Sequence, residues 1–141
     1  MSFRASSRLI ASRSWSISDH LVLALPATTK TARLINADVL ARAKTSLHLI
    51  NVARGRIVDQ GALLQALDEG RIAGATLDVT DPEPPPEGDP IYRHPKVVLT
   101  PHVSWTGGED AKRLADKTLV NLDAYAHGVA LADVFDKDLE Y

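Results

Sequence analysis

The chain contains no cysteine. This excludes disulfides, a thiolate nucleophile and cysteine-ligated metal, and nothing points to an oxidising compartment. Charge of one sign is also scarce: 16 basic against 18 acidic side chains leave a formal net charge of −2, too little for general attraction to nucleic acid or an acidic membrane. Long apolar runs are absent. The longest, such as Leu21 to Leu25, fall far short of the roughly 20 residues that span a bilayer, so the chain reads as soluble and cytoplasmic, with neither nucleic acid nor membrane as partner. No Gly-x-Gly-x-x-Gly run precedes Leu21, which excludes a phosphate-cradling glycine turn from residues 1–20. Residues 1–18 hold no acid at all; Arg4, Arg8 and Arg13 stand there among repeated serines.

What is present suits one domain's worth of chain. The 141 residues are 45% hydrophobic and 24% charged, ordinary for a globular protein and wrong for a mostly disordered one. Leu21 to Leu25, ended by Pro26, reads as a parallel strand covered on both faces. A short helix follows over about Ala37 to Ala43, capped by Asn36, then a strand over Leu47 to Val52 and a turn at Arg54-Gly55. Asp59 caps a helix from Gln60 to Asp68, with Leu63, Leu64 and Leu67 on one face and Gly70 past its end. Gly74 to Asp78 is a third strand. Proline-rich Asp81 to Pro90 must be an extended loop, since proline neither donates to a ladder nor continues a helix. Val97 to Leu99 is a fourth strand. A long helix over Gly108 to His127 carries Leu114, Leu119, Leu122 and Tyr125 on its apolar side and stops at Gly128. This alternation argues for an α/β fold, a partial Rossmann-like doubly wound parallel sheet with a long C-terminal helix.

Three of these apolar runs end in residues with chemistry to offer: Arg54 after the second strand, Glu83 beyond the third and His102 after the fourth. In open α/β sheets ligands bind beyond the carboxyl ends of the strands. The three side chains therefore read as an anion clamp, an orienting carboxylate and a proton donor. Arginine's planar fork matches a carboxylate and stays charged; histidine starts with a pKa of about 6.5, and a carboxylate on one ring nitrogen would orient it and favour its charged form. Asp78 ends an apolar strand, where a carboxylate is expensive unless it accepts hydrogen bonds. A metal site in the acidic loop of Asp81, Glu83, Glu87 and Asp89 is disfavoured, because prolines hold the loop extended and no histidine lies within it. His20, His48, His94 and His127 read as structural or surface residues, as does Arg56. Thr28 and Thr31 are either pyrophosphate neighbours or local turn caps.

Four ordered motifs, Leu25-Pro26, Asn51-Val52-Ala53-Arg54-Gly55 with Val58-Asp59, Leu77-Asp78-Val79 followed by Glu83-Pro84, and Thr100-Pro101-His102, resemble the D-isomer-specific 2-hydroxyacid dehydrogenases from about Ser18 to Asp136. The resemblance implies an oxidoreductase that moves hydride between the nicotinamide of NAD, with NADP left open, and the 2-carbon of a small 2-hydroxy or 2-oxo acid. It makes Arg54, Glu83 and His102 the catalytic residues. It places Leu25, Pro26, Val52, Ala53, Arg54, Asp78, His102 and Ser104 on the cofactor, and it admits a homodimer through the cofactor domain. Relatives often carry small residues soon after the histidine, whereas this chain reads Val103-Ser104-Trp105. Trp105 either borders the substrate pocket or belongs to a core. The family pattern begins abruptly at Ser18-Asp19-His20. Residues 1–18 are therefore expected to be an atypical segment, poorly ordered or locally helical, from a truncated or misread start rather than a transit peptide. Residues 19–127 are expected to form a partial dinucleotide-binding domain and 128–141 a tail. The alternative function is a non-catalytic remnant or interaction module on the same scaffold.

Overall fold

The computed structural model describes residues 14–140, so the expectation for 1–18 lies largely outside the described residues. From Ser14 the elements run α1 (Ser14–Ile17), β1 (His20–Leu23), α2 (Ala37–Ala41), β2 (His48–Asn51), a 3-10 turn (Gly55–Ile57), α3 (Gln60–Asp68), β3 (Gly74–Leu77), a second 3-10 turn (Pro90–Tyr92), β4 (Val97–Leu99) and α4 (Asp110–Ala126). They fall into two compact units, Met1–His102 and Val103–Tyr141. The span 19–127 is thus distributed over both.

In the first unit the four strands form one sheet in the order β1-β2-β3-β4, every pair parallel. Register aligns Leu21, Leu49, Ala75 and Val97 in one row and Leu23, Asn51, Leu77 and Leu99 in another. These rows face the core, where α2 contributes Leu40 and α3 contributes Leu63, Ala66 and Leu67. Both helices start where the sequence says they should. Asn36 Oδ1 accepts from the Val39 N–H at 3.1 Å, and Asp59 Oδ1 accepts from the Ala62 N–H at 3.2 Å, each satisfying a donor the helix leaves unpaired. Past the end of α3, Gly70 takes φ +68°, which a side chain would resist.

The expectation that β1 is covered on both faces is corrected. On the face away from the core, Val22 and Val98 are 55% and 56% exposed, and Ile50 and Thr76 are only half-buried. The core lies on the α2 and α3 side, so an unbroken apolar run is buried there on alternate residues only. The strand is also shorter than read, ending at Leu23 rather than Leu25.

In the second unit α4 is amphipathic, yet none of its residues is buried. The expected apolar side, Leu114, Leu119, Leu122 and Tyr125, is between 58% and 77% exposed. Asn121 closes the chain after the helix, its side chain donating to the Ala132 carbonyl at 3.2 Å and accepting from the Ala132 N–H at 2.9 Å. Gly128 follows the helix at φ +66°, as expected of its stop.

Candidate active site at the carboxyl ends of the strands

Beyond β2 the backbone leaves the ladder in steps. The Asn51 carbonyl still accepts from the Asp78 N–H at 2.9 Å, and the Val52 N–H reaches the Leu23 carbonyl at 3.4 Å. One residue later the side chain of Asn51, fully buried, takes over: its Oδ1 accepts from the Ala53 N–H and its Nδ2 donates to the Arg54 carbonyl, both at 3.1 Å. Arg54 is extended, at φ −149° and ψ 144°, and its guanidinium donates from Nη1 to the Ala53 carbonyl at 2.7 Å. Its charge stands exposed at the sheet's rim.

Gly55 ties this turn to the next loop. A Cβ built on it would lie 1.9 Å from the Thr80 carbonyl oxygen and 2.6 Å from the Asp81 nitrogen. Only glycine lets the backbone after β2 press so closely on the backbone after β3. Two residues beyond that contact comes Glu83, whose Oε1 lies 2.7 Å from Nδ1 of His102. Each side chain of this pair is 38% exposed. Since an ionised carboxylate only accepts, Nδ1 is the protonated nitrogen, which sets the ring's tautomer. His102 follows Pro101 with φ +54°, a left-handed conformation that non-glycine residues adopt at a cost of about 1–3 kcal/mol and that concentrates at functional sites.

Asp78 is 3% exposed at the end of β3, and the hydroxyl of Thr100 donates to its Oδ1. The Thr100 N–H also donates to the Leu77 carbonyl at 2.9 Å, so the β3 and β4 loops are joined through backbone and side chain together. Beside them opens a cleft of about 570 Å³, walled by Pro84, Pro85, Tyr92, Leu99 and Pro101, with Asp78 and Glu83 on its polar side. Of the sequence-predicted site residues, those two alone line it; Arg54 and His102 do not.

The other expectations divide. Leu25 is half-buried and Pro26 exposed just after β1; Val52 is 37% exposed and Ala53 buried just after β2. Thr28 and Thr31 bond to each other's turn and to the Pro26 carbonyl, local caps rather than outward donors. Arg56 donates to the Ala27 carbonyl, so it ties the β1 loop to the 3-10 turn instead of standing as a loose surface charge. His48 meets the Thr76 hydroxyl at 2.9 Å, and its ring centroid lies 6.2 Å from that of His20 with the planes tilted by 36°; His94 lies against Asp68 and His127 against Asp123. In the proline loop Asp89 caps the second 3-10 turn through the Ile91 N–H at 2.9 Å. Ser104 and Trp105 belong to the second unit and are exposed. Asn51, Gly55 and Thr100 stand inside the sequence motifs, but the sequence assigns none of them a role in the site. Asn51 does carry a signal: it is a polar residue in line with Leu47 and Leu49 on the core-facing parity of β2.

Two carboxylates away from this rim are shifted below their ordinary range. Asp19 is lowered by hydrogen bonds from Lys44 and then Ser46, and Glu69 by hydrogen bonds from Arg71 and then Gln65.

Residues 10–104 match the family described as D-isomer specific 2-hydroxyacid dehydrogenase, NAD binding domain. A glycerate dehydrogenase of Methylorubrum extorquens is 42% identical over 113 residues, covering 79% of this chain and 36% of that protein. The crystal structure of a D-isomer specific 2-hydroxyacid dehydrogenase from Xanthobacter autotrophicus Py2, in complex with NADPH and MES, superposes with a TM-score of 0.83 at 35% identity, over 90% of this chain and 52% of that one. An NAD-complexed D-isomer specific 2-hydroxyacid dehydrogenase from Lactobacillus delbrueckii ssp. bulgaricus gives 0.76 at 30% identity, over 86% of this chain and 41% of that one. The chain spans between 33% and 40% of the length of the first curated relatives it matches.

Proposed function

Because the chain belongs to the D-isomer specific 2-hydroxyacid dehydrogenase family through its NAD binding domain, we propose that it carries the cofactor-side half of an NAD(P)-dependent oxidoreductase site for a small 2-hydroxy or 2-oxo acid. The observation that carries the reading is the 2.7 Å contact between His102 Nδ1 and Glu83 Oε1. It is the arrangement a proton donor needs: one nitrogen held by a carboxylate, the other, Nε2, committed to exchanging a proton with the substrate oxygen.

The residues beyond β1 to β3 suit a nicotinamide, with apolar Leu25, Val52 and Ala53 for a flat ring and the Asp78 carboxylate as an acceptor for an amide. The cofactor, when bound, supplies or accepts the hydride at the 2-carbon. In the reducing direction the His102 imidazolium gives its Nε2 proton to the carbonyl oxygen and is left neutral, still bonded through Nδ1–H to Glu83. In the oxidising direction the neutral ring takes the hydroxyl proton back. Arg54 pairs with the substrate carboxylate and draws charge toward the oxygen. A homodimer formed through the cofactor domain and a cytoplasmic location belong to the same reading. Among the described residues no helix is long and apolar enough to cross a membrane.

Relatives are named as glycerate dehydrogenase and glyoxylate reductase, so the test uses NADH with glyoxylate or hydroxypyruvate. Turnover by the purified chain is expected to fall by a factor of about 10² to 10⁴ in His102→Asn. Equal turnover in parent, His102→Asn and Arg54→Lys would refute the assignment. The exposed apolar side of α4 favours a second reading, a partner-binding remnant. Absence of both turnover and any change in nicotinamide fluorescence at millimolar NADH would select it.

A further inference from the structure

We propose that Asn51 is the positioning residue of Arg54, an inference that rests on the proposed clamp role of that arginine. Register places Asn51 between Leu23 and Leu77 on the core-facing row, where a leucine would satisfy packing without the cost of burying an amide. The amide is fully buried and both its ends are used, on the Ala53 N–H and on the Arg54 carbonyl, each at 3.1 Å. These are backbone groups that have left the β2 ladder and that no neighbouring strand takes up. The carboxamide thus extends the hold of the sheet by two more residues, sharing the Arg54 carbonyl with the Ile57 N–H of the following 3-10 turn at 3.3 Å.

The consequence reaches the charge. The Ala53 residue whose N–H is held by Asn51 is also the one whose carbonyl receives Nη1 of Arg54 at 2.7 Å. Arginine has a long, rotamer-rich side chain, and an anion clamp works only if its base does not wander. Asn51 holds the turn from inside the sheet, and the Gly55 contact with Thr80 holds it from the far side. Through its own carbonyl Asn51 also takes the Asp78 N–H at 2.9 Å, so one residue couples the cation's turn to the strand end that carries the buried carboxylate.

The test follows the Arg54 Nε–H signal by nitrogen-15 NMR in the full chain, titrated with oxalate as a small dicarboxylate probe, with Arg54→Lys identifying the signal. Asn51→Leu is expected to keep the exchange protection of the β2 and β3 amides and to weaken oxalate binding by tenfold or more. A response to oxalate that Asn51→Leu leaves within twofold of the parent overturns the positioning role alone. A parent chain whose Arg54 signal ignores oxalate overturns the clamp beneath it as well, which separates the two failures. Should Asn51→Leu not fold, hydrogen exchange at Ala53 in the parent decides. Protection comparable to the β2 ladder supports the clasp, and exchange at the rate of an open loop overturns it.

Discussion

Replacing Gly55 by alanine tests the closest approach in the fold. The new methyl would sit 1.9 Å from the Thr80 oxygen and 2.0 Å from its carbonyl carbon. Both are backbone atoms, so no side chain can rotate away. Restoring an ordinary contact requires the two backbones to part by about 1.5 Å, given that carbon atoms settle at roughly 3.5–4.0 Å. Overpacking of this kind costs about 1–3 kcal/mol. The separation must be absorbed either by the turn that carries Arg54 or by the loop that carries Glu83, and misplacement of a reacting group by about 1 Å can cost on the order of 10²-fold in rate. Urea unfolding of Gly55→Ala is therefore expected to show stability lowered by about 1–3 kcal/mol with an unchanged m-value. Chemical shifts should move at Arg54, at residues 80–83 and at His102, while those of α3 stay in place. Stability within about 0.5 kcal/mol of the parent, a change of the size ordinary surface substitutions give, with unmoved shifts at residues 80–83, would refute the claim that these two loops bear on each other.

Asp59→Ala removes the acceptor that caps α3 at the Ala62 N–H and should cost about 1 kcal/mol, measured by urea unfolding; Arg33, whose side chain is 77% exposed, should contribute little of that, so Arg33→Ala alone is expected to be near neutral. Lys44→Met removes the first cause of Asp19's lowered pKa, and a carboxyl-carbon NMR titration should show that pKa rise toward the ordinary carboxylate range. Since the folded value lies below the unfolded one, the parent gains stability from Asp19 above the unfolded pKa and loses it as pH falls through the folded value. The Lys44→Met variant should show a smaller loss over that acidic window and no difference from the parent in its slope near neutrality.

Much of this architecture was legible along the chain because its causes are local. Asn36 and Asp59 announce α2 and α3 through hydrogen bonds three residues long, Gly70 and Gly128 mark helix ends by tolerating positive φ, and the apolar runs at Leu49, Ala75 and Val97 become strands. Parallel order followed from the crossover connections, through α2, through α3 and, between β3 and β4, through the long proline-rich loop. Motif spacing singled out Glu83 and His102, and the 2.7 Å contact across nineteen positions shows that both chain segments return to one place.

Sequence alone thus determined the kind of elements, their order and the residue types at the rim, since caps, turns and periodicity act over a few residues. Tertiary structure alone decided which face of the sheet is buried, why position 55 must be glycine and why position 51 is an amide rather than a leucine. Each of those depends on neighbours that the chain brings back from distant positions: the Thr80 carbonyl against Gly55, the α3 leucines that share one core with Leu49, and Leu23 and Leu77, whose register beside Asn51 buries its amide. Contacts of that kind are set by packing and register, and no window of adjacent residues contains them.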